Sequence, residues 1–323
     1  MRLVFSNDWK LRVRKFPIIG SWEVWSGLRG GSLPFSEFMK RPLVLEKKVL
    51  VTGCSSGIGL ATARVLREHG WQVVPTARKD EDIAMLKAEG FAPVRMDVAD
   101  EASVEAGVAE VLKFFGGAIG GVVNNAGYGQ AGAVEDLSRE LLAQQFNVNF
   151  IGAHDVTRRI IPVMRKQGWG RIVNVSSVLG RITIPFNGSY CASKFAMEAL
   201  TDAMRVELWN AGIGVSLIEP GPIVSKFRKN AAANAQSSLD LAGATYGKYY
   251  EREIQRRIRQ QKKPDMFTRP PEDVAVKIVH ALESPSPKRR YPVTIPAYLG
   301  IFAARFLPAW VVDTVNIRKL PRT

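Results

Sequence analysis

The sequence predicts an α/β fold: one domain, a doubly wound parallel sheet of about seven strands, with a helical lid over one end. Two observations carry that reading. Strand and helix patterns alternate without a linker from about residue 47 to 224, as βαβ units do. Within them, the apolar stretch 49–52 runs into a turn containing Gly53, Gly57 and Gly59, and a helix with apolar periodicity follows. A chain of 323 residues can bury a substantial core in such a domain.

The elements follow in order. The first strand is expected at about 47–52 and its helix at about 57–69. WQVVPTA is the second strand, ending before Arg78, and a helix covers about 80–89. VRMDV, around Asp97, is the third strand, and residues 100–115 form the next helix. AIGGVVNNAG supplies strand four and its exit loop. A long helix covers about 138–166, strand five 171–176, a helix about 189–211, and strand six 214–219. Residues 222–268 are the least regular part and are assigned to the lid. PPEDVAVKIVHAL is a helix begun by prolines, and YPVTI is a final strand. The domain therefore spans 47–295, with an extension at 1–46 and an apolar, basic tail at 296–323.

Composition narrows the function classes. Cys54 and Cys191 sit in a turn and at a helix start, which argues against a disulfide framework and suits a reducing, cytoplasmic compartment. His69, His154 and His280 are scattered, so no metal site is expected. The formal charge of +15 is uneven. Residues 1–48 hold ten Lys and Arg against four Asp and Glu, residues 49–224 sixteen against eighteen, and residues 225–323 nineteen against eight. Nucleic-acid binding would need a basic stripe with aromatic platforms, and none is present. A basic periphery beside an apolar tail suits an anionic membrane surface or an acidic substrate; simple solubility is the other reading. The tail, VTIPAYLGIFAARFLPAWVV, is broken by Pro296, Arg305 and Pro308, so it reads as a docking segment or peripheral membrane contact, not a span. The extension, with Trp9, Trp22 and Trp25, has no apolar run of signal-peptide length before Pro42 and reads as loosely ordered, and Met39 is a second candidate start.

Tyr190-Cys191-Ala192-Ser193-Lys194 is the segment richest in chemistry. A phenol and an ammonium at i,i+4 share a helix face. A neighbouring cation favours the ionised phenol, whose pKa is ordinarily about 10. That makes Tyr190 a candidate proton donor and acceptor. Ser177, thirteen residues earlier, stands at the carboxyl end of strand five, where ligand crevices lie in doubly wound sheets. At the glycine turn, Gly53, Ser55, Ser56, Gly57, Ile58 and Gly59 let the backbone approach a pyrophosphate, with helix N–H groups as donors.

Together, T-G-x-x-x-G-x-G at Thr52–Gly59, Asn124-Asn125-Ala126-Gly127, Asn149, Ser177, Tyr190/Lys194 and Pro220-Gly221 resemble the short-chain dehydrogenase/reductase family over roughly residues 47–295. The flanking stretches CASKFAMEAL and VSLIEPGPI are similar to the branch of 17β-hydroxysteroid dehydrogenases, retinol dehydrogenases and bacterial NADP-dependent aldehyde reductases. The resemblance implies a Rossmann-type fold and a nicotinamide cofactor. It implies that Tyr190 is the acid and base and that Lys194 lowers its pKa while holding the nicotinamide ribose. Ser177 would bind the substrate oxygen, and Asn149 would position a water linking Lys194 to solvent. It places Asp97 at the adenine, Asn125, Ala126 and Gly127 along the cofactor, and Pro220, Gly221 and Ile223 near the nicotinamide. Arg78, where an acidic residue would favour NAD, can fork onto a 2′-phosphate and points to NADP(H); solvating a loop is its other reading. Tyr128, Gln130 and the apolar residues Leu179, Ile182, Ile184, Pro185 and Phe186 suit a lipophilic carbonyl or alcohol substrate, or simply pack under the lid. A 3-oxoacyl thioester reductase and a non-catalytic NADPH-sensing protein are the rival readings. Family members often form homodimers, which stays open here.

Overall fold

A computed structural model describes residues 41–241, 243–262, 266–318 and 320. The tryptophans and most of the extension expected at 1–46 lie outside the described residues. Residues 41–46 run beside the sheet, where buried Arg171 donates to Pro42 O at 2.8 Å and to Ser284 O at 3.2 Å.

Seven strands form one all-parallel sheet. They are β1 (Lys48–Val51), β2 (Gln72–Ala77), β3 (Val94–Arg95), β4 (Gly121–Asn124), β5 (Gly170–Val175), β6 (Ile213–Pro220) and β7 (Arg290–Val293), in the order β3-β2-β1-β4-β5-β6-β7. The order reverses between β1 and β4, and at such a switch point a crevice opens outside the strands' carboxyl ends. Central strands are buried along their whole length because helices cover both faces. Alternation along β1 divides the core. Val49 and Val51 join Leu66, Leu86, Ile278 and Leu282 on one face, and Leu50 joins Val108, Val111, Val156, Ile160 and Met204 on the other.

The helices α1 (Gly57–Glu68), α2 (Asp80–Ala88) and α3 (Glu101–Phe114) lie close to expectation. The long helix expected at 138–166 is interrupted. α4 (Arg139–Phe146) passes through a π-helical turn, Asn147–Ile151, before α5 (Gly152–Gln167). α6 (Gly188–Glu207) carries the Tyr190 segment and ends in a short 3₁₀ turn closed by Gly212 in the left-handed region. The lid contains two helices, α7 (Phe227–Ser238) and α8 (Gly247–Lys262). Its latch is Tyr250, whose hydroxyl accepts from Ala133 N at 2.7 Å and donates to Asp136.

After α9 (Glu272–Glu283) and β7, the expected final strand is cut short. Thr294 turns to φ +93° and caps α10 (Ile295–Phe306), which is followed by α11 (Ala309–Ile317). The tail is thus two helices, and among the described residues none is long and apolar enough to cross a membrane.

A buried polar ladder ties the sheet to the helices beneath the crevice. Asn124 Nδ2 donates to Thr157 Oγ1 at 2.7 Å and Asn174 Oδ1 at 2.8 Å, and Asn174 Nδ2 donates to Thr201 Oγ1 at 2.9 Å. Removing one partner leaves the others short of bonds where water cannot replace it. Asn174→Ala should cost about 1–3 kcal/mol, seen in urea melts as a lower midpoint at unchanged slope; an unaltered midpoint would contradict the ladder's role.

Candidate active site

The glycine turn and the exit of β4 are clasped together. Thr52 Oγ1 accepts from Asn125 N and Ala126 N, both at 3.0 Å, and Asn125 Nδ2 donates to Thr52 O and Gly53 O, also at 3.0 Å. Nothing larger than glycine fits here. A Cβ on Gly59 would stand 2.3 Å from Gly53 O, and one on Gly53, at φ +72°, would stand 2.7 Å from Ala126 Cα. Ser56 precedes α1 without capping it through its side chain, so the first helix N–H groups are left to face the crevice.

The crevice is about 1180 Å³. It brings together Gly53, Ser55, Ser56, Gly57 and Ile58 at one end and Ser177, Tyr190 and Lys194 at the floor. Arg78 and Asp97 border the glycine turn, Asn125, Ala126 and Gly127 line the β4 side, and Pro220, Gly221 and Ile223 the β6 side. Of the residues singled out from sequence for catalysis or cofactor contact, Gly59 and Asn149 do not line it. Gly59 lies beneath the turn, and Asn149 is fully buried behind the loop.

Tyr190 and Lys194 occupy consecutive turns of α6, with Lys194 Nζ 5.9 Å from the Tyr190 ring centroid. The ammonium donates to Val175 O at 2.9 Å. Burial pushes the Tyr190 phenol up to about 12, with the Ser177 hydroxyl pulling the other way. Burial likewise brings Lys194 down to about 8, against the pull of Glu198. Spacing alone predicts a lowered phenol; burial acts in the opposite direction, and Lys194, 5.9 Å from the ring centroid, is turned toward a carbonyl.

Asn149 sits in the π turn, where its Oδ1 accepts from Tyr128 N and its Nδ2 donates to Tyr128 O, each at 2.9 Å. It clamps the loop after β4, and a Cβ on Gly127 would lie 3.1 Å from Asn149 Oδ1 and 3.8 Å from Lys194 Nζ. Asn147, two residues earlier, points elsewhere and donates to Ala99 O at 2.9 Å.

At the outer end, Arg78 Nη1 stands 3.6 Å from Asp97 Oδ2, with the arginine side chain 65% exposed. Tyr128, Gln130, Leu179 and Ile184 line the wall as expected. Ile182, Pro185 and Phe186 do not. Ile182 packs near Gly300 of α10, and Phe186, strained at φ +61°, lies 4.2 Å by ring centroid from Tyr249 of the lid. Ser225 and Lys226 also line the crevice, and a Cβ on Gly57 would be 3.1 Å from Ser225 Cβ. No local spacing marks them. They arrive because Val224 N and Arg269 N exchange bonds with Arg269 O and Pro222 O, folding the chain back over the turn.

Known proteins resemble this chain in sequence and in fold. The profile described as short chain dehydrogenase matches residues 47–236. This chain belongs to the short-chain dehydrogenase family. The Escherichia coli (strain K12) oxidoreductase YbbO is 41% identical over 272 residues, which is 84% of this chain and 94% of that protein. Mouse retinol dehydrogenase 16 is 31% identical, over 84% of this chain and 87% of its own. Among solved structures, actinorhodin polyketide ketoreductase with NADPH superposes with a TM-score of 0.64 at 27% identity, covering 78% of this chain and 97% of that one. As a short-chain dehydrogenase, the protein is an oxidoreductase of a family that binds a nicotinamide cofactor.

The lowered Lys194 carries a pH signature. Below about pH 8 the lysine is charged whether folded or unfolded, and its burial opposes folding in full. Between about 8 and its ordinary 10.5 only the unfolded chain keeps the proton, so stability rises with pH. The wild type should therefore gain stability relative to Lys194→Met in urea melts run from about pH 8 to about pH 10. Parallel curves would show that the ammonium is not desolvated.

Proposed function

We propose that this chain is an NADP(H)-dependent oxidoreductase that reduces aldehyde or ketone groups of lipophilic substrates, or oxidises the corresponding alcohols. The observation that carries the reading is the convergence of Ser177, Tyr190 and Lys194 on the floor of a crevice that ends at the glycine turn and Arg78.

The residues present fit a dinucleotide. Gly53 and Gly57 leave bare backbone at one end of the crevice, Gly59 keeps the turn tight beneath it because a Cβ there would meet Gly53 O, and the uncapped start of α1 favours a pyrophosphate. Arg78, at the end of β2, would hold the adenosine 2′-phosphate by charge-assisted hydrogen bonds. Lys194, 3.8 Å from the place of a Gly127 Cβ, would hold the ribose. When bound, the nicotinamide supplies or accepts the hydride.

The chain's own part is proton handling. Buried Tyr190, held to about 12, keeps its proton at neutral pH and gives it to the substrate oxygen as charge develops there. The Ser177 hydroxyl donates to the same oxygen and steadies that charge. In oxidation the phenolate takes the proton back.

An apolar substrate fits the wall. Phe227 meets the Tyr190 ring edge-on at 5.4 Å between centroids, and Leu179 and Ile184 line the same end. The thioester rival draws on lid arginines, but Arg256 and Arg257 both pair with Glu253, at 2.6 and 3.0 Å, which neutralises part of their appeal to phosphate.

Tyr190→Phe should lower kcat by roughly 10²–10⁴-fold with NADPH affinity little changed; near-normal turnover would refute the proton role. Arg78→Ala should raise the KM for NADPH by roughly tenfold or more, the worth of a lost charge-assisted bond, and that for NADH far less. Equal effects would remove the 2′-phosphate assignment. The substrate class is read from NADPH oxidation with aldehydes, ketones, steroids and acyl thioesters side by side.

A further inference from the structure

Helix α10 is amphipathic in reverse. Its domain-facing side is small: Ala297 is buried, and a Cβ on Gly300 would sit 3.0 Å from Ile182 Cδ1 and 3.3 Å from Val178 Cγ2. Ile295, Tyr298, Leu299, Phe302 and Phe306 follow the spacing i, i+3, i+4, i+7, i+11, which places them on a single stripe. Each is at least 58% exposed. Trp310, at the start of α11, is likewise 68% exposed. Scattered apolar side chains on a surface need no explanation, but a continuous stripe does.

By sequence the tail is basic. Residues 295–323 contain Arg305, Arg318, Lys319 and Arg322 against a single acid, Asp313. An apolar stripe with aromatic residues and a basic surround is the composition that lies in the headgroup region of an anionic bilayer. A second copy of the chain would set basic tails against each other, which charge repulsion disfavours. We propose that the exposed face of α10 and Trp310 docks on an anionic phospholipid surface.

The placement gives this docking a consequence for the crevice. The segment 178–184 serves both: Val178 and Ile182 support α10, while Leu179 and Ile184 line the crevice wall. Asn316 Nδ2 of α11 donates to Thr183 O at 3.3 Å in the same segment. A lipid surface held by α10 is thus separated from the crevice by one stretch of chain. The docking itself does not depend on the proposed chemistry.

The test is co-sedimentation of the full chain with mixed phosphatidylcholine–phosphatidylglycerol vesicles and with pure phosphatidylcholine vesicles, without nucleotide or substrate. The wild type should pellet with the mixed vesicles and bind the neutral ones roughly tenfold less, with high salt releasing it. Leu299→Glu with Phe302→Glu should lower binding at least about tenfold, with the thermal melt kept because both positions are exposed. Arg305→Gln with Arg318→Gln should remove the salt-sensitive part alone. A wild type that stays in the supernatant with both vesicles overturns the proposal, as does a Leu299→Glu, Phe302→Glu chain that pellets like wild type. If that variant instead halves the mass in solution while lipid binding is unchanged, the face joins two copies and the lipid assignment falls.

Discussion

The structure depends on a constraint at the switch point: β1's exit and β4's exit share their hydrogen bonds. Thr52 and Asn125 exchange donors and acceptors across the gap, so neither turn can move without leaving buried polar groups unpaired. Gly59 closes the arrangement because the Gly53 carbonyl occupies the space its side chain would need. Since β4 and β5 are adjacent in the sheet, the position of this clasp also sets the distance from the glycine turn to Val175, the carbonyl that Lys194 addresses. The nucleotide end and the catalytic floor are therefore spaced by strand-to-strand packing, about 4.8 Å per strand, and not by flexible loops.

Electrostatics around the floor share one cause. Burial moves Tyr190 up and Lys194 down, each toward its neutral form. Behind them Glu219, fully buried before the Pro220-Gly221 turn, is raised to about 7 by burial and by Glu198, against the pull of Arg181 and Arg290. Arg290 Nε reaches both carboxylates at 3.1 Å. This pairing is what lets two acids sit under the floor at all.

Local spacing made most of the site legible. The glycine turn, Ser177 at a strand end and Tyr190 with Lys194 on one helix face all lie within short stretches whose geometry follows from strand or helix period. Asn149 was reachable only through family spacing, because what selects it over Asn147 is a π turn with no periodic mark. The lid is helical as expected, but the limits of its two helices were not legible, for a different reason. KNAAANAQSS and the arginine-rich run after Gly247 carry too little apolar periodicity to announce themselves, and their packing comes from contacts such as Tyr250 on the 133–136 loop. Tyr291-Pro292-Val293 read onward into a strand because Thr294 and Ile295 are β-branched, yet the Thr294 hydroxyl accepts from Ala297 N and starts a helix. The phenol's direction of shift was invisible because spacing shows a neighbour but not the loss of water.

The π turn at 147–151 has a consequence for how this part of the chain can vary. One additional residue in a helix rotates everything beyond it by about 100°. Here that offset lets α5 keep Val156 and Ile160 in the core while Asn149 faces the opposite way, toward the backbone of Tyr128. Shortening the segment by a single position would leave two sound helices yet swing that amide out of reach of its loop. Length at this point is therefore constrained more tightly than composition.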